Sequence, residues 1–311
     1  MAVDNVTPIS TPCEKETMMQ IRAIGICLAA AILAVAHISP TPAKAADETF
    51  VFTAIPDQDE TRLRTRFEKV ATYLSTKLGV PVEYVPVKSY AAAVTAFRND
   101  QVQLAWFGGL SGVQARDLVD GSQALAQGVE DLEFITYFIA HHSTGLTETE
   151  AFPKDMAGKT FTFGSKGSTS GRLMPEFHIR NQFGKSPDEV FSRVGFSGDH
   201  SKTITLVQSG AFEVGALSFA VWESELKAGK IDPAKVSVIW RTPTYPDYQW
   251  SIRGDVNSRF GPDFMDKVRT ALLEMDDPVL LASFPRSGFI PATNDHYAPI
   301  VKVGKDIGLL D

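Results

Sequence analysis

The hydrophobic pattern of the chain alternates short apolar runs with longer segments of helical period. The first run, Phe50–Ile55, is continuously apolar, as in a strand buried on both faces. The next segment keeps its apolar side chains on one helical face and ends at Gly79 and Pro81, which stop helices. The apolar positions of that face are Leu63, Phe67, Val70, Leu74 and Leu78. This order predicts a strand followed by a helix.

The same alternation continues in two series. The first predicts strands and helices at Val82–Val87, Tyr90–Asn99, Val102–Phe107, Leu110–Val119 and Phe134–Ala140. The second predicts them at Thr160–Phe163, Arg172–Asn181, Arg193–Phe196, Lys202–Gln208 and Val214–Leu217. Further elements are expected at Val236–Trp240, Gln249–Arg253, Pro262–Met275 and Tyr297–Ile307. The pattern predicts an α/β fold of two lobes, each a mainly parallel sheet flanked by helices, with a cleft between them.

Residues 1–45 have the pattern of a secretory signal peptide. Arg22 precedes the apolar stretch Ala23–Ala36, which is too short to span a bilayer, and an A-x-A cleavage pattern ends at Ala45. Acidic residues before position 18 are unusual in a basic leader, so translation starting at Met18 or Met19 is an alternative. The segment predicts export through a cleaved signal peptide.

Composition narrows the classes of function for the rest of the chain. Both cysteines, Cys13 and Cys27, lie in the predicted leader, so no disulfide or cysteine-ligated metal is expected after it. The net charge is −7, which argues against nucleic acid or an anionic membrane as a partner. His141 and His142 are adjacent without a third ligand nearby in the sequence, so neither a metal site nor a cofactor is expected.

The most informative segment reads G-S-K-G-S-T-S-G, from Gly164 to Gly171, between a predicted strand and a predicted helix. Free backbone N–H groups and the helix dipole meet at a helix N-terminus, and Ser168, Thr169 and Ser170 add three hydroxyl donors. Such a cluster suits a small tetrahedral oxyanion. One hydroxyl is enough for helix capping, so three in succession favour an anion site over a simple cap.

Other polar or small residues follow the carboxyl ends of the predicted strands, where α/β sheets bind ligands. They are Asp57, Tyr90, Gly108, Gly109 and His200. No base and orienting carboxylate accompany the serines and threonine, so a hydrolase is disfavoured and no enzyme activity is expected. A binding protein is favoured, either a transport receptor or a sensory module.

Seven short motifs are distributed across nearly the whole chain after the leader. They are A-I-P-D-Q-D-E-T-R-L (Ala54–Leu63), V-K-S-Y (Val87–Tyr90), Q-L-A-W-F-G-G (Gln103–Gly109), G-S-T-S-G (Gly167–Gly171), F-S-G-D-H (Phe196–His200), V-G-A-L-S (Val214–Ser218) and Y-P-D-Y-Q-W (Tyr245–Trp250). In these motifs and their order, the chain resembles the periplasmic substrate-binding proteins of phosphonate/phosphite ABC importers.

The resemblance implies a type II periplasmic-binding-protein fold whose two lobes, joined by two strands, close over the ligand. We expect lobe 1 to span residues 46–143 and 250–311, and lobe 2 to span residues 144–249. The resemblance also implies a monomer in the periplasm that delivers its ligand to an ABC permease and its ATPase. It implies that the oxyanion is held by Tyr90, Ser168, Thr169, Ser170 and His200.

Five further residues are candidates for the cleft: Asp57, Trp106, Gly109, Tyr245 and Ser218. Each candidate has a simpler alternative. His200 is also placed to cap a helix, and if it binds the anion we expect it to do so as an imidazolium. Trp106 and Tyr90 are also compatible with packing in the core. Tyr245 and Tyr248 are compatible with a segment that crosses from one lobe to the other.

The ligand itself is only partly constrained. Family members that carry aminoalkyl phosphonates have acidic residues for the amine, whereas Ala216–Trp222 contains no carboxylate. This absence favours a compact anion such as phosphite, methylphosphonate or phosphate. Gly108–Arg116 is similar to a branch linked to selenate uptake, so selenate stays an alternative.

Overall fold

The computed structural model describes residues 48–281 and 284–311. The predicted signal peptide, including its cysteines and alternative start sites, lies outside the described residues. The strands, in chain order, are β1 Phe50–Ala54, β2 Val82–Tyr84, β3 Leu104–Phe107, β4 Gln123–Gly128, β5 Thr136–His141, β6 Thr160–Phe163, β7 Arg193–Phe196, β8 Val214–Ser218, β9 Val236–Arg241, β10 Gln249–Ile252 and β11 Phe289–Pro291.

The helices follow the strands in an alternating order, as the hydrophobic pattern predicts. They are α1 Glu60–Leu78, α2 Tyr90–Arg98, α3 Gly109–Asp117, α4 Met174–Phe183, α5 Pro187–Val190, α6 His200–Gln208, α7 Phe219–Lys227, α8 Val256–Phe260, α9 Phe264–Leu273, α10 Pro278–Leu281 and α11 Ala298–Asp306. A single π-helical turn, Thr169–Leu173, leads directly into α4. Within the described residues, no helix is both long enough and apolar enough to cross a membrane.

The strands form two mixed sheets. The first has six strands in the order β11-β4-β10-β3-β1-β2, and the second has five in the order β7-β6-β8-β5-β9. Strands that follow one another through a helix, such as β1 and β2 or β6 and β7, are parallel, as are the neighbouring pairs β1 with β3 and β6 with β8. β5 and β10 run antiparallel to both of their neighbours. Each is the first strand after the chain has moved from one sheet to the other. The predicted α/β architecture with two sheets flanked by helices is confirmed.

The chain passes between the sheets twice, between β4 and β5 and between β9 and β10. The two passages lie side by side and antiparallel, because Phe134 and Tyr245 exchange backbone hydrogen bonds of 2.9 and 3.0 Å. Asp247 N–H also donates to the carbonyl of Asp131 over 3.0 Å. These two adjacent segments are where the elements of the first sheet meet those of the second.

Capping residues explain where several of the helices begin or end. Ser89 caps α2 by accepting from Ala92 N–H, and Asp199 caps α6 by accepting from Lys202 N–H. Gly184 has a φ of +66°, which ends α4 in the left-handed region where glycine is favoured. Aromatic side chains fill the core of the first sheet, where Trp250 packs against Phe52, Phe67 and Trp106. Rigid packing of this kind fixes the strand ends from which the site is built.

Several elements differ from the sequence-based expectation. The sequence pattern does not predict the strands β4 and β11 or the short helices α5, α7, α8 and α10. The helix expected at Arg172–Asn181 begins earlier, with the π-helical turn at Thr169. β5 pairs with β8 and β9, so its residues belong to the second sheet. The expected lobe limits at 143/144 and 249/250 stay predictions.

Candidate anion-binding site

The hydroxyl-rich loop after β6 is folded tightly onto the start of the following helix. Gly164 N–H donates to the carbonyl of Gly171 over 2.8 Å, which closes the loop. Ser168 is the N-cap residue, and its Oγ accepts from Gly171 N–H over 2.9 Å. Because the helix begins at Thr169, Thr169 and Ser170 lie in its first turn and are almost fully buried. Single π-helical turns of this kind are frequent at functional sites.

Gly171 allows two side chains to approach the same point. A Cβ atom at Gly171 would lie 3.0 Å from both the Ser168 Oγ and the His200 Cε1. Real Cβ contacts are rarely this close, so a larger residue here would displace the hydroxyl or the imidazole. The glycine therefore brings the helix start and the His200 ring together.

His200 is the first residue of α6 and is completely buried. Its backbone N–H donates to the Asp57 carbonyl over 3.0 Å, and its Nδ1 accepts from Ser218 N–H over 3.4 Å. Burial lowers the pKa of His200 to about 3, so the ring is neutral at physiological pH. Because Nδ1 accepts, the proton is on Nε2, which meets no hydrogen-bond partner among the described residues. A neutral donor thus replaces the expected imidazolium, and capping of α6 falls to Asp199.

Tyr90 begins α2 and points its hydroxyl into the same region. Burial raises the pKa of Tyr90 well above its usual value, and the nearby carboxylates of Asp57 and Asp247 raise it further. The phenol is therefore protonated and is a donor. Its oxygen lies beside the Ser168 hydroxyl but has no hydrogen bond of normal geometry within the described part of the chain.

Asp247, in the second passage between the sheets, is a buried carboxylate that the sequence-based site did not include. Its Oδ1 accepts from Gly109 N–H over 2.9 Å, and the Thr169 hydroxyl lies beside it. Its Oδ2 is buried with no hydrogen-bond partner among the residues described. Burial raises the pKa of Asp247 to about 7, whereas the Gly109 N–H and the Thr169 hydroxyl lower it. The carboxylate is poised to hold or release a proton near neutral pH.

Gly108 and Gly109 let the chain after β3 approach both Asp247 and Thr169. A Cβ at Gly108 would lie 3.2 Å from Asp247 Oδ1 and 3.3 Å from Thr169 Oγ1. Thr169 Oγ1 also accepts from Leu110 N–H over 3.0 Å. The start of α3, which packs on the first sheet, therefore contacts the hydroxyl cluster of the second.

Asp57 lies just after β1 and is buried. Burial raises its pKa to about 6, and the Tyr248 hydroxyl and the charge of Arg286 lower it. Arg286 itself is held by Asp131, with both contacts between the guanidinium and the carboxylate at 2.7 Å. The Asp57 carboxylate is thus already engaged by Tyr248, unlike Asp247 Oδ2.

Tyr245 and Ser170 meet at Thr136. The Tyr245 hydroxyl is 2.5 Å from Thr136 Oγ1, and Thr136 Oγ1 donates to the Ser170 carbonyl over 3.0 Å. Ser170 Oγ lies near the Tyr245 hydroxyl but makes no hydrogen bond of normal geometry in the described residues. Its hydroxyl is a free buried donor.

Trp106 and Ser218 lie at the edge of this cluster. Trp106 packs in the core, stacked on Tyr248 with ring centroids 5.5 Å apart, as its simpler alternative predicts. Ser218 Oγ caps α7 by accepting from Val221 N–H over 3.4 Å, so Ser218 reaches the cluster only through its backbone N–H to His200. Both residues border a cavity of about 10 Å³ that also touches Asp57 and Arg286.

The structure thus brings together most of the candidates from the sequence: Asp57, Tyr90, Gly109, Ser168, Thr169, Ser170, His200 and Tyr245. Four buried side-chain atoms of the cluster lack a partner within residues 48–281 and 284–311: Tyr90 Oη, Ser170 Oγ, His200 Nε2 and Asp247 Oδ2. Buried polar atoms are nearly always paired in native proteins, so four unpartnered atoms in one cluster favour a polar ligand there. No group of three or more potential metal ligands occurs in the same described ranges.

Asp247, Thr136 and Arg286 were missed as members of the cluster. Asp247 had one usable signal, its place in Y-P-D-Y-Q-W directly before β10. Thr136 and Arg286 act through partners more than 30 residues away in the chain, so no local pattern marks them.

Comparison with known proteins identifies the family of the chain. The model of the family described as "ABC transporter, phosphonate, periplasmic substrate-binding protein" matches residues 52–297. The chain belongs to this family. The resemblance drawn from the motifs is thereby confirmed, and so is the expectation of a binding protein rather than an enzyme. Family membership also makes it a periplasmic-type component of an ABC transporter.

Individual relatives agree with this assignment. The probable ABC transporter phosphite binding protein PhnD1 of Prochlorococcus marinus (strain MIT 9301) is 39% identical over 261 residues, which cover 82% of this chain and 88% of the relative. The phosphate-import protein PhnD of Mycolicibacterium smegmatis is 26% identical over 264 residues, or 80% of this chain and 78% of the relative.

A solved structure shares the fold. PhnD1 from Prochlorococcus marinus in complex with methylphosphonate matches with a TM-score of 0.79 at 39% identity, covering 84% of this chain and 98% of that chain. That agreement over nearly the whole of the solved chain supports the two-sheet architecture as that of a periplasmic binding protein.

Proposed function

We propose that this family member captures a compact phosphorus oxyanion, such as phosphite or methylphosphonate, and delivers it to its ABC importer. The observation that carries the proposal is the set of three buried, unpartnered donors: Tyr90 Oη, Ser170 Oγ and His200 Nε2. Together with the helix start at Thr169, they offer an anion hydrogen bonds in a site shielded from water.

The relatives support phosphorus over other anions. One relative is named for phosphite, another for phosphate, and the solved relative holds methylphosphonate. Selenate, the alternative that Gly108–Arg116 suggests, remains an outcome of the ligand test below.

The surroundings of the cluster bear on the size and charge of the ligand. The cavity bordered by Asp57 and Ser218 has room for about one water molecule, at about 10 Å³, and it adjoins the cluster without being lined by Tyr90, Ser170 or His200. Ala216–Trp222 also offers no carboxylate to an ammonium group. Asp57 and Asp247 do place carboxylates in the cluster, so 2-aminoethylphosphonate is included as a competitor in the ligand test.

We further propose that the two sheets are the cores of two lobes, hinged at the paired passages around Phe134 and Tyr245. The closed arrangement is supported by contacts between the loops of the two sheets, such as Leu110 N–H to Thr169 Oγ1. The protein would act as a monomer in the periplasm after removal of residues 1–45.

Thermal denaturation with and without ligand tests this proposal. Protein is unfolded, dialysed free of bound anion, refolded and melted with phosphite or methylphosphonate, since a ligand that binds only the folded state raises Tm. A Ser170→Ala/His200→Ala double variant should lose most of that rise. An unchanged Tm for the wild-type protein with both ligands would refute the proposed function.

A further inference from the structure

The π-helical turn that leads into α4 pairs its backbone groups one residue further apart than an α-helix does. Leu173 N–H donates to the carbonyl of Ser168 over 3.0 Å, and Met174 N–H donates to the carbonyl of Thr169. Both hydrogen bonds join residues five apart, whereas an α-helix joins residues four apart. The next hydrogen bond of this series would run from the N–H of residue 175 to the carbonyl of Ser170.

That next hydrogen bond cannot form, because residue 175 is proline and has no N–H. The donor that an α-helix would offer to the Ser170 carbonyl, Met174 N–H, is already given to Thr169. Ser170 is almost completely buried. A buried carbonyl that lacks a donor is destabilising, so the turn needs a donor for Ser170 from another part of the fold.

Thr136, at the start of β5, supplies that donor. Thr136 is completely buried, and its Oγ1 donates to the Ser170 carbonyl over 3.0 Å. A hydroxyl has one hydrogen, so the Tyr245 hydroxyl, 2.5 Å away, is the donor in its contact with Thr136 Oγ1. The Thr136 backbone is fixed as well, since its N–H donates to Thr242 Oγ1 over 2.9 Å and its carbonyl accepts from Thr242 N–H over 3.1 Å. A rigid strand end therefore holds the hydroxyl against the turn.

We propose that Thr136 is a positioning residue for anion binding. Its hydroxyl replaces the N–H that Pro175 lacks, and it thereby holds the π-helical turn that presents the Ser170 hydroxyl to the ligand. Without the Thr136 hydroxyl, the Ser170 carbonyl draws Met174 N–H back into ordinary α-helical pairing, and this change displaces Ser170 Oγ. Thr136 acts in this way without touching the ligand. The inference rests on the proposed function and adds a residue that supports its site.

Two substitutions of Thr136 separate its hydroxyl from its shape. Thr136→Val keeps the shape and removes the hydroxyl, whereas Thr136→Ser keeps the hydroxyl and removes a methyl group. Binding of methylphosphonate to ligand-free, refolded protein is measured by calorimetry. We expect Thr136→Val to weaken binding at least about tenfold and Thr136→Ser to stay within about threefold of wild type, since the hydrogen bond to Ser170 is lost only in the first.

Thr53→Val is the matched control for the loss of a buried hydroxyl. Thr53 lies in β1, is completely buried, and its Oγ1 donates to the Val85 carbonyl over 2.7 Å. The substitution removes the same kind of hydrogen bond from the other sheet. Thr53→Val and Thr136→Val should lower stability in urea by similar amounts, but only Thr136→Val should weaken ligand binding.

The double variant Thr136→Val/Pro175→Ala tests the mechanism. It restores an N–H at position 175, which can donate to the Ser170 carbonyl in place of the hydroxyl. Binding should recover to within about threefold of wild type, because the carbonyl again has a donor. A Thr136→Val protein that does not fold supports the proposal only if the double variant folds and binds. A double variant that binds as weakly as Thr136→Val, or does not fold, contradicts it.

The remaining outcomes distinguish this inference from the proposed function. Wild-type affinity in Thr136→Val, or equal weakening in Thr136→Val and Thr136→Ser, would overturn the role of the Thr136 hydroxyl and leave the proposed function intact. Failure of the wild-type protein to bind either phosphite or methylphosphonate would instead refute the proposed function itself.

Discussion

The backbone N–H of His200 donates to the carbonyl of Asp57 over 3.0 Å, although the two residues belong to loops on different sheets. Asp57 follows β1 of the first sheet, and His200 begins α6, which packs on β8 of the second. This hydrogen bond and the one from Leu110 N–H to Thr169 Oγ1 join the sheets at the candidate site. The contacts that join the two sheets are thus made by residues of the candidate site itself.

The two serines of the hydroxyl run should respond differently to substitution. Ser168→Ala removes the helix cap and should cost about 1 kcal/mol of stability. Ser170→Ala should cost little, since Ser170 Oγ has no hydrogen bond of normal geometry within the described chain. Ser170→Ala should nevertheless weaken phosphite binding by about 1.5–3 kcal/mol, the value of a hydrogen bond to a charged group. Chemical denaturation and calorimetry separate the two effects, and unchanged binding in Ser170→Ala would remove Ser170 from the site.

His200 should remain neutral over the physiological range. Burial lowers its pKa to about 3, so its ring resonances in NMR should not titrate between about pH 5 and about pH 8. A titration of His200 near its usual pKa would contradict the neutral-donor assignment and restore the imidazolium.

Asp247 should make the free protein less stable as pH rises. Its folded-state pKa, about 7, exceeds the ordinary value of 3.8, so the native state holds a proton that the unfolded state has released between these limits. Stability is therefore lost as pH rises from about 4 to about 7. Asp247→Asn removes this loss, and its stability relative to wild type should increase by about 2–4 kcal/mol across that window. Urea denaturation at several pH values measures it, and parallel pH profiles would count against the assignment.

Gly171 should be intolerant of even one added methyl group. The alanine Cβ would lie 3.0 Å from Ser168 Oγ and His200 Cε1 and 3.2 Å from Gly164 Cα, so atoms of the site must move. We expect Gly171→Ala to weaken ligand binding at least about tenfold and to destabilise the fold by about 1–3 kcal/mol. Gly288→Ala, where no heavy atom lies within 4 Å of the added Cβ, is the control and should change neither quantity. Wild-type affinity in Gly171→Ala would show that the site is looser than described.

The sequence predicted the elements whose signal is local. Phe50–Ile55 and Val102–Phe107 are continuous apolar runs, and they correspond to the central strands β1 and β3. β4 was missed because Q-A-L-A-Q-G contains no β-branched or aromatic residue, although most of it is buried. β11 has three residues and ends in proline, which leaves no periodic pattern to read.

The same distinction applies to the candidate site. Ser168, Thr169 and Ser170 are adjacent in the chain, so their convergence at a helix start was visible in the sequence. The role of Asp247 depends on Gly109, 138 residues away, and that of Arg286 on Asp131, 155 residues away. Such pairings come from the packing of the two sheets, which residue patterns do not specify. The protonation states of His200 and Asp247 depend on burial, which the sequence alone does not specify.

The most direct test of the central claim is a calorimetric competition with ligand-free, refolded wild-type protein. The panel contains phosphite, methylphosphonate, phosphate, sulfate, selenate and 2-aminoethylphosphonate. Phosphite or methylphosphonate should bind tightest, because each is compact and can accept hydrogen bonds from Tyr90, Ser170 and His200. Tightest binding of sulfate or selenate, or of the aminoethyl compound, would contradict this account.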